Sequence, residues 1–237
     1  MTQVAKKKVL VIGGSRGIGA AIVTSFADAG ADVRFTFVSS EETATRLSEK
    51  TKSTPIRCDA SDVRALRVAI RDAGAVDVLV YNAGLFTAGD PLTMADEDVD
   101  RMIEVNIRGP YYACVEAARA MPEGGRLIVI GSVNGDRVPF PGIAAYAMTK
   151  SAMQGMVRGL ARDFGPRGIT VNLVQPGPTD TDMNPADGPW AKQMHEIMAT
   201  GRHGAAAEVA SLVLYLAGDA ASGITGAAHT IDGGFGA

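Results

Sequence analysis

The sequence predicts a three-layer α/β fold, doubly wound around a seven-stranded, mainly parallel sheet with helices on both faces. Three observations carry that prediction. Seven short runs rich in Val and Ile lack clean polar alternation, as strands buried on both faces do. Segments with helical periodicity separate them, giving a βαβα rhythm. A glycine-rich turn joins the first run to the first helical segment.

In chain order, "KVLVIG" (8–13) leads through that turn into a helix over 18–29. "DVRFTFV" (32–38) precedes a helix over 41–51, and "PIRCD" (55–59) one over 62–73. "VDVLVYN" (76–82) is followed by a long helix over 96–120, whose acidic start "MADEDVD" (94–100) suits the positive end of a helix. "RLIVIG" (126–131) precedes a helix over 144–165, "ITVNLVQ" (169–175) one over 206–217, and "AHTID" (228–232) closes the sheet. Without repeats, linkers or low-complexity tracts, residues 1–237 read as one domain.

Residues 177–204 break the rhythm. This stretch is rich in Pro, Gly and Asp, with a short amphipathic piece near 190–199. Connections this long inside a compact domain are usually functional. Residues 184–200 are expected to form a lid, with Trp190, Met194 and Met198 roofing an apolar, adaptable substrate pocket.

Composition excludes several classes. Hydrophobic residues make up 46% and charged residues 21%, and the net charge of -3 offers no footprint for a nucleic acid polymer or an anionic membrane. Residues 1–8 carry three lysines, but the apolar run after them is too short for a leader, and no stretch nears a membrane span. Cys58 and Cys114 show no metal or redox spacing and read as buried thiols, so a cytoplasmic protein is expected. His195, His203 and His229 have no acidic or thiol neighbour at ligand spacing, so no metal site is expected. Ser132 lacks the G-x-S-x-G elbow of a hydrolase nucleophile.

Gly13, Gly17 and Gly19 give G-x-x-x-G-x-G between strand and helix, the context in which backbone approaches a pyrophosphate at a helix N-terminus. This predicts a Rossmann-type dinucleotide site that includes Ser15, Arg16 and Ile18. The second strand ends in Phe37, Val38, Ser39 and Ser40, with no carboxylate to meet a ribose 2′-hydroxyl. Arg16 offers a planar cation to a 2′-phosphate, and Ser39 and Ser40 offer hydroxyls, so NADP(H) is expected in preference to NAD(H). Glu41 and Glu42 follow closely, and either one turned inward would weaken that preference.

"YAMTK" sets Tyr146 and Lys150 four residues apart, on one helix face. A lysine cation beside a phenol favours the phenolate and lowers the tyrosine pKa towards a working acid–base value. Ser132 carries a hydroxyl able to hydrogen-bond a substrate oxygen, but the sequence itself does not bring it to Tyr146.

With glycine loop and "YAMTK" on one chain, the sequence resembles the short-chain dehydrogenase/reductase family over its whole length. "GGSRGIG" resembles the family's cofactor loop, with Ile12 where threonine is usual. "CDASD" resembles the segment that touches the adenine, implying Asp59 and Ala60. "NAG" implies Asn82, Ala83 and Gly84. "IEVNIRG" carries the family asparagine, Asn106, and "IGSVNG" its serine, Ser132. "QPGPTDT" implies that Pro176, Gly177, Thr179 and Thr181 lie beside the nicotinamide, and "ITGAAHTIDGG" resembles the C-terminal signature. The resemblance implies that Asn106, Ser132, Tyr146 and Lys150 converge, with Asn106 in a water-linked relay to Lys150 and Tyr146 exchanging the proton. Hydride transfer between nicotinamide and a ketone or alcohol is the implied reaction.

Gly155 and Gly159 fall one turn apart on the helix after Lys150 and suggest close packing against another helix; the family resemblance implies a homo-oligomer, a tetramer. Several stretches, among them "IGSVNGDR" and "HTIDGGFGA", are similar to a branch of the family described as binding a cyclic dinucleotide. That resemblance implies a second reading, a nucleotide-binding regulator on the same fold. The intact proton-transfer set favours the enzyme.

Overall fold

The structure is a computed structural model, and it describes residues 4–237; the first three residues of the basic start lie outside the described residues. The main sheet contains β1 (Lys8–Ile12), β2 (Asp32–Phe37), β3 (Thr54–Arg57), β4 (Val78–Tyr81), β5 (Arg126–Ile130), β6 (Thr170–Pro176) and β9 (Ala228–Ile231). Their order is β3-β2-β1-β4-β5-β6-β9, and every neighbouring pair is parallel.

Alternation along each strand explains why the runs look uniformly apolar. Leu10, Ile12, Leu79, Tyr81, Leu127 and Val129 face one way, into a core with α3 (Val63–Ala73), α5 (Gly109–Ala120) and α6 (Ala144–Phe164). Val9, Val11, Val78, Val80, Ile128 and Ile130 face the other, against α1 (Gly17–Asp28), α2 (Glu41–Thr51) and α8 (Ala206–Ala217). Period-two alternation thus feeds two cores, and both demand apolar side chains.

The helix expected over 96–120 is interrupted. After α4 (Asp96–Ile103), residues 104–108 form a π-turn before α5 begins. Gly109 N–H reaches back five residues to Glu104 O. The Val105 carbonyl, bypassed in this way, accepts the buried Tyr81 hydroxyl at 2.6 Å. Gly109 makes the contact feasible, because a Cβ there would stand 2.0 Å from Tyr81 Oη. Pro110 has no N–H, so the Asn106 carbonyl also loses its ordinary helical donor. Such π-bulges recur at functional sites.

The segment 177–204 closes at its base through two short strands not foreseen from the sequence, β7 (Thr179–Asp180) and β8 (Gly204–Ala205), paired in parallel. It carries α7 (Ala191–Ile197). His195 Nε2 and His203 Nδ1 lie 2.7 Å apart and tie α7 to the chain before β8. Met194 and Met198 join Val133, Phe140 and Phe235 in a small third apolar cluster. Trp190 does not: it is 65% exposed at the start of α7, and so caps no apolar pocket. Gly155 and Gly159 meet nothing within 4 Å of an added Cβ, so among the described residues no helix packs on them.

Candidate active site

The strand order reverses direction between β1 and β4, and parallel sheets bind ligands at such a switch, beyond the strand C-termini. A cleft of about 390 Å³ opens there. Its floor near β1 is the glycine loop. Gly13 sits at φ 79°, and its N–H donates to Thr36 Oγ1 at 2.8 Å. Asn82 Nδ2 donates to Gly13 O at 2.7 Å, which ties the loop after β4 to the loop after β1. Gly19 must lack a side chain, since a Cβ would lie 2.1 Å from Gly13 O. No side chain caps the first turn of α1 and no carboxylate stands in it, leaving N–H groups and the dipole's positive end for an anion. These are the features a pyrophosphate requires, so the residues present fit a dinucleotide.

Most of the residues expected from the sequence line this cleft. Gly13, Ser15, Arg16, Gly17 and Ile18 come from the first turn, with Ser39 and Ser40 after β2. Asp59 and Ala60 follow β3, and Asn82, Ala83 and Gly84 follow β4. Tyr146 and Lys150 enter from α6, and Thr181 from the far segment, where its Cγ2 lies 3.3 Å from where a Gly17 Cβ would be. Gly19, Asn106, Ser132, Pro176, Gly177 and Thr179 are not in that lining; Gly19 supports the loop, and Thr179 donates to Gly177 O at 3.0 Å. Glu41 and Glu42 are exposed at the start of α2 and do not line the cleft; Glu42 pairs with Arg46 at 3.5 Å.

Several lining residues escaped the sequence reading. Thr36 was hidden inside an apolar run, where a lone hydroxyl between two phenylalanines was the available signal. Arg101 lies 3.9 Å from Asp59 and comes from α4, distant in sequence. Phe86 is 45% exposed and packs edge-on against Tyr146, with ring centroids 4.9 Å apart.

Around Tyr146, hydrogen bonds connect Asn106 with α6. Asn106 Nδ2 donates to Leu85 O at 2.8 Å and to Thr149 Oγ1 at 3.0 Å, while its Oδ1 accepts from Leu85 N–H at 2.9 Å. One side chain thereby fastens the loop after β4 to α6. Thr149 in turn donates to Tyr146 O at 2.7 Å. Lys150 Nζ donates to Ile130 O at 3.3 Å and lies 5.6 Å from the Tyr146 ring centroid.

The electrostatics run opposite to the spacing argument. Burial raises the Tyr146 pKa above its ordinary value, and the nearby Ser132 hydroxyl opposes that rise. Burial lowers Lys150 to about 8, because a cation loses its hydration there. Desolvation therefore sets the direction of both shifts, opposite to the lowered phenol expected from the spacing. Cys58 lines the cleft too, but burial and the neighbouring Asp59 and Asp62 push its thiol up to about 11, which leaves it unreactive.

A family model described as enoyl-(acyl carrier protein) reductase matches residues 12–236. The cyclic-di-GMP-binding biofilm dispersal mediator protein of Escherichia coli (strain K12) is 58% identical over 231 residues, covering 98% of each chain. The crystal structure of BdcA in complex with NADPH superimposes with a TM-score of 0.97 at 57% identity, covering 98% of this chain and 96% of that one. A short chain dehydrogenase from Burkholderia cenocepacia J2315, in complex with NADP, gives 0.98 at 43% identity, covering 99% of this chain and all of that one (100%). Matched from end to end in sequence and in fold, the chain belongs to the short-chain dehydrogenase/reductase family of oxidoreductases.

Proposed function

We propose that the protein is an NADPH-dependent carbonyl reductase, working reversibly as an alcohol dehydrogenase. The observation that carries this reading is the placement of Tyr146 and Lys150 together in the lining of the cleft that the glycine loop also lines, with Lys150 Nζ 5.6 Å from the Tyr146 ring centroid. When bound, the nicotinamide supplies the hydride for the carbonyl carbon. Tyr146 gives its proton to the substrate oxygen, Ser132 holds that oxygen by a hydrogen bond, and the Lys150 cation steadies the phenolate left behind. A pKa raised by burial keeps Tyr146 protonated at neutral pH, the state that reduction consumes. Asn106 holds the loop after β4 against α6 and so fixes the wall around Tyr146.

Arg16 and the hydroxyls of Ser39 and Ser40 suit a 2′-phosphate, and the NADPH and NADP bound in two related structures support the same cofactor here. Residues 184–200 serve as a lid, a homotetramer forms through faces that include the uncovered Gly155 and Gly159, and the protein works in the cytoplasm. A second reading, a cyclic-di-GMP-binding regulator, is supported by the name of the Escherichia coli relative.

The deciding experiment is NADPH oxidation over a panel of aromatic ketones, aliphatic ketones and an enoyl thioester, with and without cyclic-di-GMP. Ketone-dependent oxidation that survives the dinucleotide supports the reductase. Turnover of the enoyl thioester alone would replace carbonyl with C=C reduction. No turnover, together with saturable cyclic-di-GMP binding, would favour the regulator.

A further inference from the structure

His195 stands in the last turn of α7, and His203 lies just before β8. Their rings are nearly perpendicular, with 82° between the planes, and His195 Nε2 is 2.7 Å from His203 Nδ1. Two ring nitrogens at that distance share one proton, so one of the facing positions must be bare. His203 is 5% exposed, and its outer nitrogen, Nε2, finds no partner. Apart from this pair, α7 makes no side-chain hydrogen bond through nitrogen or oxygen among the described residues. Its Met194 sulfur accepts a weak one from Asn184 Nδ2 at 3.7 Å. Otherwise the helix and Met198 after it are held by packing of Met194, Ile197 and Met198 against Val133, Phe140 and Phe235.

We propose that the His195–His203 bond is an acid-released latch, which ties α7 to the β7–β8 pair and frees residues 184–200 when both rings become cations. The bond survives one added proton, because a cationic His195 still donates to a bare His203 Nδ1. It does not survive a second. Both facing nitrogens then carry hydrogens, and two positive charges confront each other. Burial holds His203 below its ordinary value, the charge of His195 adds to that, and Asp180 opposes both. The latch therefore holds near neutral pH and releases below the ordinary imidazole value of 6.5. Folded His203 takes its proton less readily than the unfolded chain does, so its contribution to stability is complete above that value and is lost as pH falls. This motion goes beyond the reductase reading and does not depend on it.

The other charges around the pair come from each neighbouring element. Lys192 and Glu196 on α7 are exposed, as are Asp182 and Asp187 in the chain before it. Asp180 on β7 accepts Ala186 N–H at 3.0 Å and favours the His203 cation. Arg202 donates to His203 O at 3.0 Å and pairs with Glu208 of α8 at 2.8 Å. Asp232 on the C-terminal segment accepts from Gly234 and Gly236 N–H, at 2.9 and 2.6 Å. Carboxylates ordinarily titrate near about 4 and imidazoles near about 6.5, so the histidines respond first as pH falls from neutrality.

Trp190, the lone tryptophan, immediately precedes α7 and reports its mobility. Its fluorescence anisotropy is followed from about pH 8 to about pH 4.5 in the parent, His203→Gln and His195→Gln. Far-UV circular dichroism of the same samples checks the fold, and imidazole proton resonances, assigned through the variants, give the titration of each ring. Parent anisotropy should drop reversibly as His203 takes up its proton, with the circular dichroism unchanged. Both glutamine variants should lose that drop, because a neutral amide cannot supply the second cation; if one folds poorly, the other decides. Asp180→Asn should move the drop to lower pH by about half a unit to one unit, since it removes the carboxylate that favours the cation. Flat anisotropy while His203 titrates overturns the latch, as does a His203 that stays neutral throughout. A drop that persists in the glutamine variants, or that coincides with lost circular dichroism, overturns it equally.

Discussion

The two walls of the cleft are built on different physics. On one side, the glycine loop, the loop after β4 and α6 are locked by short-range geometry. Gly19 sits on Gly13 O, Asn82 and Asn106 bind backbone, and Lys150 donates to Ile130 O. On the other, residues 177–205 depend on a two-residue strand pair, a histidine pair and a cluster of side chains from three distant segments. The first wall tolerates almost no change of shape, because backbone fills it. The second holds flexible methionines and an exposed Trp190, so substitutions there should be absorbed.

The largest effect should come from the rigid wall. Tyr146→Phe removes only the hydroxyl, and kcat for ketone reduction should fall by about 10³-fold, within the usual range for a general acid. NADPH affinity, measured in parallel by fluorescence, should stay within about threefold of the parent. Retained turnover would break the contrast, by showing that Tyr146 is not the acid.

Next comes Gly19→Ala. Its methyl would meet Gly13 O and Asn82 Nδ2, both part of the cradle. Overpacking against backbone costs about 1–3 kcal/mol, and NADPH affinity should drop at least about tenfold as the loop shifts. Thermal unfolding and NADPH titration of one sample measure both effects.

A third prediction concerns pH. Lys150 is lowered to about 8, so its cation is lost as pH rises through that value rather than near its ordinary 10.5. Ketone reduction should decline above about pH 8, because the phenolate then loses its counter-charge. In Lys150→Arg the decline should move to higher pH, as guanidinium stays charged. Stability should behave oppositely. Between about 8 and 10.5 the unfolded chain keeps a proton that the folded chain has lost, so this group makes stability rise with pH. Calorimetry over that window distinguishes lost catalysis from unfolding.

The smallest effect belongs to the other wall. Trp190→Ala should change kcat/KM for any ketone by less than about threefold and leave NADPH affinity unchanged, because exposed side chains carry little packing energy. A larger, substrate-dependent change would mean that the lid closes Trp190 onto ligand, and the two walls would then be less different than they look. Fluorescence of this lone tryptophan, titrated with ketone in the presence of NADPH, provides the second check.

The strands and most helices could be read from local pattern, because a parallel sheet covered on both faces requires apolar residues at successive positions. The glycine loop was equally legible, since steric demands on a backbone–phosphate approach leave glycine almost alone. Tyr146 and Lys150 share a face by helical period, which sequence spacing shows directly. Spacing shows neighbours but not burial, however, and burial decided the direction of both pKa shifts. The break at 104–108 arises from Tyr81, Gly109 and Pro110 acting together, and only Pro110 hinted at it in sequence. Arg101, Phe86, the histidine pair and the Asn134–Arg137 bridge to the C-terminal segment likewise join residues that chain order keeps apart. Local sterics and periodicity are written in neighbouring residues. Desolvation and cross-chain hydrogen bonds exist only once the sheet has brought distant segments together.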